Sequence, residues 1–294
     1  MAGGSVSFVN RELFWAMGLS LSSRVTAALP EAARYPLAGA LGRGVGRLFP
    51  LKRDAVEKNV AHINAFCGTN FQSKRVFENF GMTLADFLGG HAVDIRVEGR
   101  DQAEAARARG QGAIVLTTHL GNWELGGRVL AEWGWPVTAV FQPYRSKAMQ
   151  NFIQKKRAPG LSYLAVGRGA AHGIAKALRR HETVAMLADR PFGEDGGWVT
   201  VCGRRMRFPR GPFLFASRSG APVLPGFAIM ERPGHYRVVV EEALWAEGAD
   251  PVQNLMDKMA QVLGKYVAAH GDQWYCFEPL WESSENGALN GENG

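Results

Sequence analysis

From residue 93 onward the sequence alternates short apolar runs, rich in β-branched residues, with segments of helical length. An apolar run of roughly four to eight residues followed by a helical segment is typical of a β-α-β unit, whose crossover is right-handed. Repeated units of this kind build a sheet of mainly parallel strands covered by helices. The sequence therefore predicts an α/β fold with a mixed, largely parallel central sheet flanked by helices. The predicted strands are 93–98, 113–118, 137–141, 162–166, 183–188, 222–229 and 235–241, and the predicted helices between them are 101–109, 122–133, 146–157 and 170–181.

Helical patterns precede and follow this alternation. Residues 8–29 carry an apolar side chain at every fourth position, which predicts an amphipathic helix that either packs on its own domain or lies in a membrane interface. A second helical region is predicted over 52–90. The last helix is predicted to begin at Asp250, with Pro251 in its first turn, and to end at Gly271.

The domain organisation follows from the absence of repeats and linkers in the sequence. With 46% hydrophobic residues, a chain of 294 residues can fill a sizeable core. We expect one α/β domain over 51–282, preceded by an amphipathic helical segment over 1–50. The final stretch 283–294, SSENGALNGENG, is small and polar, which predicts disorder.

The charge of the chain indicates which partners it favours. The formal net charge is +7 and the isoelectric point is near 9.5. A basic protein favours acidic partners such as nucleic acid, an anionic membrane surface or an acidic carrier. We expect no nucleic acid partner, because the sequence holds no helix-turn-helix, zinc-finger or RNP pattern.

Cysteine usage predicts the redox state and argues against a metal site. Cys67, Cys202 and Cys276 lie far apart and form no C-x-x-C pair. Their odd number and wide spacing predict reduced thiols in a cytoplasmic setting. We therefore expect no bound metal and no cofactor.

Targeting signals are also weak in this sequence. The first residues, MAGGSVSFVNREL, lack a basic region followed by a sustained apolar core, so we do not expect export. The most apolar stretch, LFWAMGLSLSSRVTAALP, is interrupted by serines and Arg24, which argues against a membrane span. If the protein meets a membrane, we expect it to lie on the surface, with residues 8–29 as its anchor.

One strand ends in an unusual cluster of polar residues. In AIVLTTHLGNWELGGRVL, residues 113–130, an apolar strand leads into His119, Asn122 and Glu124. Asn122 fits the N-cap of the following helix, so His119 lies at the carboxyl end of a strand, where open α/β sheets bind ligands. A turn between them allows His119 to fold over Glu124, the arrangement that makes histidine a general base.

Spacing alone does not separate this interpretation from a structural histidine. The chain holds 27 acidic residues and seven histidines, so an acid five positions after one of them is expected by chance. The position of His119 at a strand end favours catalysis, and further motifs strengthen that interpretation.

Four blocks of the sequence resemble one known family in their order. THLGNWELGG resembles the H-x4-D/E block of glycerolipid-type acyltransferases, in the form H-x-x-N-W-E of the bacterial lipid A biosynthesis (lauroyl/myristoyl) acyltransferases. The blocks GRGAAHGIAKALRRHETVAMLADRPF, ASRSGAPVLPGFAI and HGDQWYCFEPLW are similar to later blocks of that family. The resemblance spans roughly residues 10–282, so the domain over 51–282 is expected to be an acyltransferase domain.

The resemblance implies transfer of a fatty acyl chain from a thioester to a hydroxyl, or an amine, of a membrane lipid or glycolipid such as a lipid A precursor. The donor would be acyl carrier protein or acyl-CoA. The protein would act at an anionic membrane surface, as a peripheral or monotopic protein on the cytoplasmic face of the inner membrane. These are expectations about donor, acceptor and location.

The resemblance also implies roles for individual residues. His119 would deprotonate the acceptor, and Glu124 would orient the imidazole and balance its charge. Backbone N–H groups at residues 121–123 would receive the developing oxyanion. Arg168 and Asp189 match an arginine and an aspartate of the family, and both would belong to the site, either binding phosphate or supporting the histidine. The remaining substrate-binding candidates are Asn122, Trp123, Gln142, Arg190, Arg204 and Arg205.

The sequence departs from the family pattern at three places. Gln142 stands in FQP where the family commonly has Y-R-P, and Arg190 in DRP where D-Q-D is usual. The segment EPLWE replaces a basic ending. These changes affect the assignment to lipid A more than they affect acyl transfer itself.

A basic segment allows two interpretations. GRRMRFPRG, residues 203–211, holds Arg204, Arg205, Arg207 and Arg210 between apolar side chains. It is either a solvated loop or a surface loop that binds phosphate groups of a lipid or of the donor.

Two other functions are consistent with parts of the sequence. Gly167, Gly169 and Gly173 follow a predicted strand and precede a helix, and Asp189 ends the next strand, as in an NAD(P)-dependent oxidoreductase. Position 172 is histidine where the G-x-G-x-x-G form has glycine, which weakens this alternative. A catalytically inactive lipid-binding or carrier-binding protein is the second alternative. A serine hydrolase is excluded, because no G-x-S-x-G pattern is present.

Overall fold

The computed structural model describes residues 18, 20–144, 146–191 and 196–281. Residues 8–17 of the predicted amphipathic helix and the predicted tail 283–294 lie outside the described residues. The strands are β1 (Asp94–Glu98), β2 (Ala113–Thr117), β3 (Val137–Phe141), β4 (Ser162–Ala165), β5 (Thr183–Leu187), β6 (Gly196–Val201), β7 (Arg204–Pro209), β8 (Val223–Arg232) and β9 (His235–Val240).

The helices complete this secondary structure. Helix α1 covers residues 20–28. It is followed by α2 (Glu31–Leu48), α3 (Pro50–Cys67), α4 (Ser73–Gly89), α5 (Arg100–Arg107), α6 (Trp123–Glu132), α7 (Lys147–Lys156), α8 (Ala170–Arg179), α9 (Gly211–Ser219) and α10 (Pro251–His270).

The central sheet confirms the predicted α/β class. Within the described residues it has seven strands, in the order β1-β9-β8-β2-β5-β3-β4. Every neighbouring pair is parallel except β8 and β9, which form a hairpin across the turn before His235. Helical crossovers connect β2 to β3 and β4 to β5, so those strands run in the same direction. All seven predicted strands of this sheet are present within a few residues of their expected bounds.

The basic segment 203–211 is not a loop, and this corrects one expectation. Residues 204–209 form β7, which pairs antiparallel with β6 in a separate hairpin. Met206 and Phe208 are buried, Arg205 is exposed and Arg207 is half-buried, which follows the period-two pattern of a half-buried strand. That alternation was present in the sequence. The sequence analysis also did not predict α9, which follows β7.

The predicted helical region 52–90 divides into two helices. Helix α3 ends at Gly68, whose φ of +67° is left-handed and is strained for residues with a side chain. Residues 69–72 then connect this glycine to the start of α4. Gly68 therefore ends the first of two helices in a region, 52–90, that the hydrophobic pattern predicted as helical throughout.

Helix α2 packs on α4 through glycine. Gly39, Gly42 and Gly46 are buried on one face of α2. A methyl group on Gly42 would collide with the Phe77 carbonyl oxygen of α4, so the two helix backbones approach as closely as they do only without side chains there. Gly44, which lies between these positions, has open space around it.

The sheet separates two helical layers. On one face α10 buries Leu255, Met256, Met259 and Leu263 completely, and these side chains belong to the largest core cluster. On the other face α6 lies over the sheet, with Val129 and Leu130 buried beneath it. The carboxyl ends of β2 and β5 meet at the centre of the sheet, between these layers.

The glycine packing predicts a sharp difference between two alanine substitutions. Gly42→Ala should lower the free energy of unfolding by about 1–3 kcal/mol, because the helices must separate. Gly44→Ala should raise it by up to about 1 kcal/mol, because alanine favours the helix and meets nothing. Urea unfolding of both variants measures the difference. Equal stability of the two variants would contradict the close packing of α2 on α4.

Candidate active site

The parallel pairing of β2 and β5 brings a histidine and an aspartate together. In the register of these strands Thr117 lies beside Leu187, and His119 and Asp189 each follow two residues later. The imidazole Nδ1 of His119 lies 2.8 Å from Oδ1 of Asp189. The backbone N–H of His119 donates to Oδ2 of the same carboxylate at 2.9 Å. Both ring and backbone of the histidine are therefore held by one carboxylate.

Asp189 is buried, and its charge is compensated by these contacts. The indole Nε1 of Trp274 donates a third hydrogen bond to Oδ2 at 2.9 Å. Burial alone raises the pKa of Asp189, but the charge of His119 and the hydrogen bonds from His119 and Trp274 lower it to about 2. An ionised carboxylate only accepts hydrogen bonds, so Nδ1 of His119 is the donor. In the neutral ring the other nitrogen, Nε2, is then the basic one.

Glu124 does not contact His119 in this way, which corrects the expected pair. Its Oε1 accepts hydrogen bonds from Nε and Nη2 of Arg157 at 3.2 and 3.1 Å. The carboxylate that orients the imidazole in the structure is Asp189. Glu124 remains at the site, but as the ion-pair partner of an arginine.

The backbone between His119 and Glu124 explains this arrangement. The N–H of Gly121 donates to the Gln273 carbonyl at 2.9 Å, and the N–H of Asn122 donates to the Ala228 carbonyl at 2.7 Å. These bonds prevent the turn from folding the histidine over Glu124. They also occupy two of the N–H groups expected to bind an oxyanion, so that expectation is corrected for Gly121 and Asn122.

Gly121 and Asn122 shape the start of α6. Gly121 has a φ of +71°, and a side chain there would collide with the Ala228 carbonyl oxygen. The Asn122 side chain is buried and accepts a hydrogen bond from the N–H of Leu125 at 3.2 Å, as expected for an N-cap. Asn122 thus positions the helix that carries Glu124.

An apolar cavity opens beside His119. Its volume is about 260 Å³, and it lies between α6 and the sheet. From His119 it extends back along β2 past Thr117 and Val115. Space exists there because several wall residues are small; they are Gly126, Gly127, Ala139, Ala185, Gly226 and Ala228.

The polar end of this cavity carries other predicted residues. Trp123 and Gln142 both line it, and the Trp123 ring lies edge-on to His119 with 5.2 Å between ring centroids. Glu124 lines it together with Arg157. The cavity is therefore apolar along its length and charged near the histidine.

Arg157 is a site residue that the sequence analysis missed. Its guanidinium lies 5.2 Å from the ring centroids of both Phe141 and Tyr163. Within the described residues its Nη1 is buried without a hydrogen-bond partner, so it is an available donor. Arg157 follows the end of α7 and belongs to no recognisable motif. Trp274 was missed as a partner of Asp189, although its block was identified.

A second, more polar cavity shares the Glu124–Arg157 pair with the first. Its volume is about 250 Å³. His91, Arg128 and Lys156 also line it, so basic side chains exceed the acidic ones, Glu124 and Asp86.

The other predicted site residues lie outside both cavities. Arg190 donates to the Tyr275 carbonyl at 2.9 Å and so helps to hold the segment that carries Trp274. Arg168 is exposed in the turn before α8. Arg204 and Arg205 are exposed on the β6–β7 hairpin, where the Arg205 guanidinium lies 4.6 Å from the ring centroid of Trp198.

The geometry does not favour a dinucleotide site. Gly167 and Gly169 have positive φ values of 135° and 88° and lie in the turn after the edge strand β4. Neither glycine lines a cavity described above. Asp189, which that alternative requires for ribose binding, is buried against His119 and Trp274.

The described part of the chain contains no cluster of three His, Cys, Asp or Glu side chains arranged to bind a metal ion. None of its helices has the length and apolar character needed to span a bilayer.

Comparison with known proteins connects this geometry to a family. The family model described as bacterial lipid A biosynthesis acyltransferase matches residues 6–283, which is nearly the whole chain. The chain belongs to this family. The match includes both strand ends that carry His119 and Asp189.

Members of known function show moderate similarity to this acyltransferase-family chain. A phosphatidylinositol mannoside acyltransferase of Mycobacterium tuberculosis is 28% identical over 193 residues, which are 64% of this chain and 60% of that protein. A lipid A biosynthesis palmitoleoyltransferase of Escherichia coli is 26% identical over 206 residues, 65% of this chain and 67% of that protein. The chain thus matches about three fifths of the length of the mannoside acyltransferase.

One solved structure resembles the fold more distantly. It is the 1-acyl-sn-glycerophosphate acyltransferase of Thermotoga maritima, with a TM-score of 0.39 and 14% identity over 87% of this chain and 97% of that one.

The buried Asp189 predicts a specific dependence of stability on acidity. Its pKa is near 4 in an unfolded chain and about 2 in the folded protein. Its ionised form therefore stabilises the fold fully above about pH 4, and this contribution is lost as the pH falls towards about 2. Across that range the native protein should lose about 2 kcal/mol more unfolding free energy than Asp189→Asn. Urea unfolding at several pH values measures this, and parallel curves for the two proteins would contradict the lowered pKa.

Proposed function

We propose that this protein is an acyltransferase that moves a fatty acyl chain from a thioester to a hydroxyl, or an amine, of a membrane lipid or glycolipid. The observation that carries the proposal is a histidine held by a buried carboxylate at the open end of an apolar cavity. Membership of the lipid A biosynthesis acyltransferase family supports it. The names of the relatives, a lipid A biosynthesis palmitoleoyltransferase and a phosphatidylinositol mannoside acyltransferase, support a lipid or glycolipid acceptor.

In the proposed mechanism His119 is the general base. Its Nε2 takes the proton of the acceptor hydroxyl while the hydroxyl oxygen attacks the thioester carbonyl carbon. The new carbon–oxygen bond forms, the carbon–sulfur bond breaks, and the departing thiolate receives the proton back from His119. Asp189 stabilises the imidazolium between these two steps, because its negative charge lies 2.8 Å from Nδ1.

Arg157 and Glu124 have a supporting role in this proposal. A negative charge develops on the thioester oxygen during attack, and Arg157 brings a positive charge and a free Nη1 donor to the polar end of the cavity. Glu124 holds the guanidinium in place through its two hydrogen bonds. Glu124 is thus a positioning residue, and the catalytic pair is His119 with Asp189.

The two cavities suggest where the substrates bind. The apolar cavity along β2 suits the hydrocarbon chain of the donor, since burial of each methylene contributes about 0.8 kcal/mol. The second cavity, with its excess of basic side chains, suits a phosphate-bearing part of either substrate. The acceptor hydroxyl then meets the thioester near the Glu124–Arg157 pair, which both cavities share.

The donor and the location are further parts of the proposal. An acyl carrier protein is acidic and would be attracted by the net charge of +7, while acyl-CoA carries the same kind of thioester. The protein would act peripherally or monotopically at an anionic membrane, on the cytoplasmic face of the inner membrane.

Acyl transfer should depend on the three residues in different ways. His119→Ala should lower kcat by about 10²–10⁴-fold, because no base remains, and Asp189→Asn should also lower kcat, because an amide does not balance the imidazolium. Glu124→Gln should weaken the ion pair that positions Arg157, and should therefore change KM as well as kcat. Transfer of labelled acyl groups from acyl carrier protein or acyl-CoA into a bacterial lipid extract measures all three.

The matched control is His172→Ala, which removes an exposed histidine that lines neither cavity and should retain full activity. Transfer by folded His119→Ala at the native rate would refute the general-base role. No transfer by the native protein from either donor would favour the inactive lipid-binding or carrier-binding alternative.

The wall of the apolar cavity should determine the length of the acyl chain. Ala185 lies on β5 beside Ala139 and Val115, and all three line the cavity. Ala185→Leu should fill part of this space and shift the preference towards shorter chains, seen as a rise in KM for long donors and little change for short ones. Ala105→Leu, on the exposed side of α5, is the control. If Ala185→Leu leaves the preference for acyl-chain length unchanged, the acyl chain binds outside this cavity.

A further inference from the structure

Helix α2 turns its large apolar side chains outward. Leu37, Leu41, Val45 and Leu48 follow one another at helical spacing along one side of the helix. Their exposed fractions are 43, 62, 48 and 76%. A surface helix of a globular protein normally presents its apolar side to the core, so this orientation is inverted.

The inversion has a clear cause in the packing. The opposite side of α2 consists of Gly39, Gly42 and Gly46, which are buried against α4. The close approach of these two helices leaves no room for a leucine between them. The fold therefore directs the leucines of α2 away from the protein.

Helix α1 shows the same inversion. Ser23 is buried and donates a hydrogen bond to the Leu88 carbonyl at 2.9 Å. Leu21 and Val25, which belong to the predicted amphipathic stripe, are 64 and 46% exposed. Ser23 of α1 thus faces the protein, whereas Leu21 and Val25 face outward.

These side chains form a single region of the sequence, which we name the apolar face. Among the described residues, eight of the eleven exposed large apolar side chains lie between residues 21 and 51. Clustered exposure of this kind marks an interaction site, whereas scattered exposed residues do not. The apolar face comprises Leu21, Val25, Leu37, Leu41, Val45, Leu48, Phe49 and Leu51.

Basic side chains accompany the apolar face. Residues 20–53 contain six basic side chains and a single acidic one, Glu31. The six are Arg24, Arg34, Arg43, Arg47, Lys52 and Arg53. Arg43, Lys52 and Arg53 form ion pairs with Glu78, Glu278 and Asp54, and the other three basic side chains of the region outnumber its one acidic residue. Apolar side chains that enter the acyl region beside arginine and lysine near the headgroups are the pattern of interfacial membrane binding.

We propose that the apolar face docks this protein on an anionic lipid bilayer, with α2 lying in the plane of the surface. Only Leu21 and Val25 of this face fall within the anchor predicted over residues 8–29. Four of the eight residues lie on α2, twice as many as on α1, so the main contact with the membrane is assigned to a different helix.

The position of the apolar face relative to the cavities is consistent with a lipid substrate. The Thr26 carbonyl of α1 lies 2.9 Å from Nε2 of His91. His91 lines the second cavity, together with Glu124 and Arg157. Docking through this face therefore brings the headgroup layer towards the cavity that carries the basic side chains.

The experiment compares vesicle binding by two variants of the full chain. Leu41→Asp combined with Val45→Asp places two carboxylates in the centre of the face, at exposed positions where the fold should tolerate them. Phe66→Asp makes the same change at the other end of α3, about 22 Å along the helix axis from Leu51. Sedimentation with vesicles of phosphatidylcholine containing about 30% phosphatidylglycerol measures the Kd of each protein.

We expect the double variant to bind at least tenfold more weakly than the native protein, while Phe66→Asp stays within twofold and thermal unfolding is unchanged in both. The native protein should also bind phosphatidylcholine vesicles without the anionic lipid more weakly. These readouts do not involve turnover, so the docking surface and the proposed acyl transfer succeed or fail separately.

Two outcomes would overturn the proposal. If the double variant binds as tightly as the native protein and binding is lost only on removal of residues 1–17, that segment is the anchor. If the native protein is a dimer and the double variant a monomer with undiminished vesicle binding, the face is an interface between two copies of the chain.

Discussion

The buried carboxylate of Asp189 is the interaction on which the rest of the site depends. A charge without partners costs several kcal/mol to bury, so the fold must bring donors to it. The donors are the backbone and ring of His119 and the indole of Trp274, which come from the end of β2 and from the segment after α10. One charge thus requires the centre of the sheet and the last part of the chain to meet, and the reactive nitrogen of His119 is oriented as a result.

The apolar cavity and the apolar face follow from the same use of small residues. Glycine and alanine on α6, β3, β5 and β8 leave an apolar space between helix and sheet. Glycine on α2 brings that helix so close to α4 that its leucines must face outward. Both features leave apolar surface uncovered in the isolated protein, and we propose that lipid complements both: an acyl chain fills the cavity and a bilayer covers the apolar face.

Much of the fold could be predicted because the strands are strongly patterned. The runs around Ile114, Val184 and Val238 are apolar and β-branched, and short helical segments separate them. The β6–β7 hairpin was missed because its arginines suggested a solvated loop, although Met206 and Phe208 alternate with them. Glu124 was paired with His119 because it is close in sequence, and Arg157 escaped notice because it belongs to no motif.

The sequence by itself determined the alternating strands and helices, the position of His119 at a strand end, and the family blocks, since each is a local pattern. Only the tertiary structure decided that β5 lies beside β2, and this adjacency makes Asp189 rather than Glu124 the partner of His119. It also decided which side of α2 faces outward. The physical reason is that strand order and helix packing depend on contacts between residues distant in sequence, which no local pattern of side chains specifies.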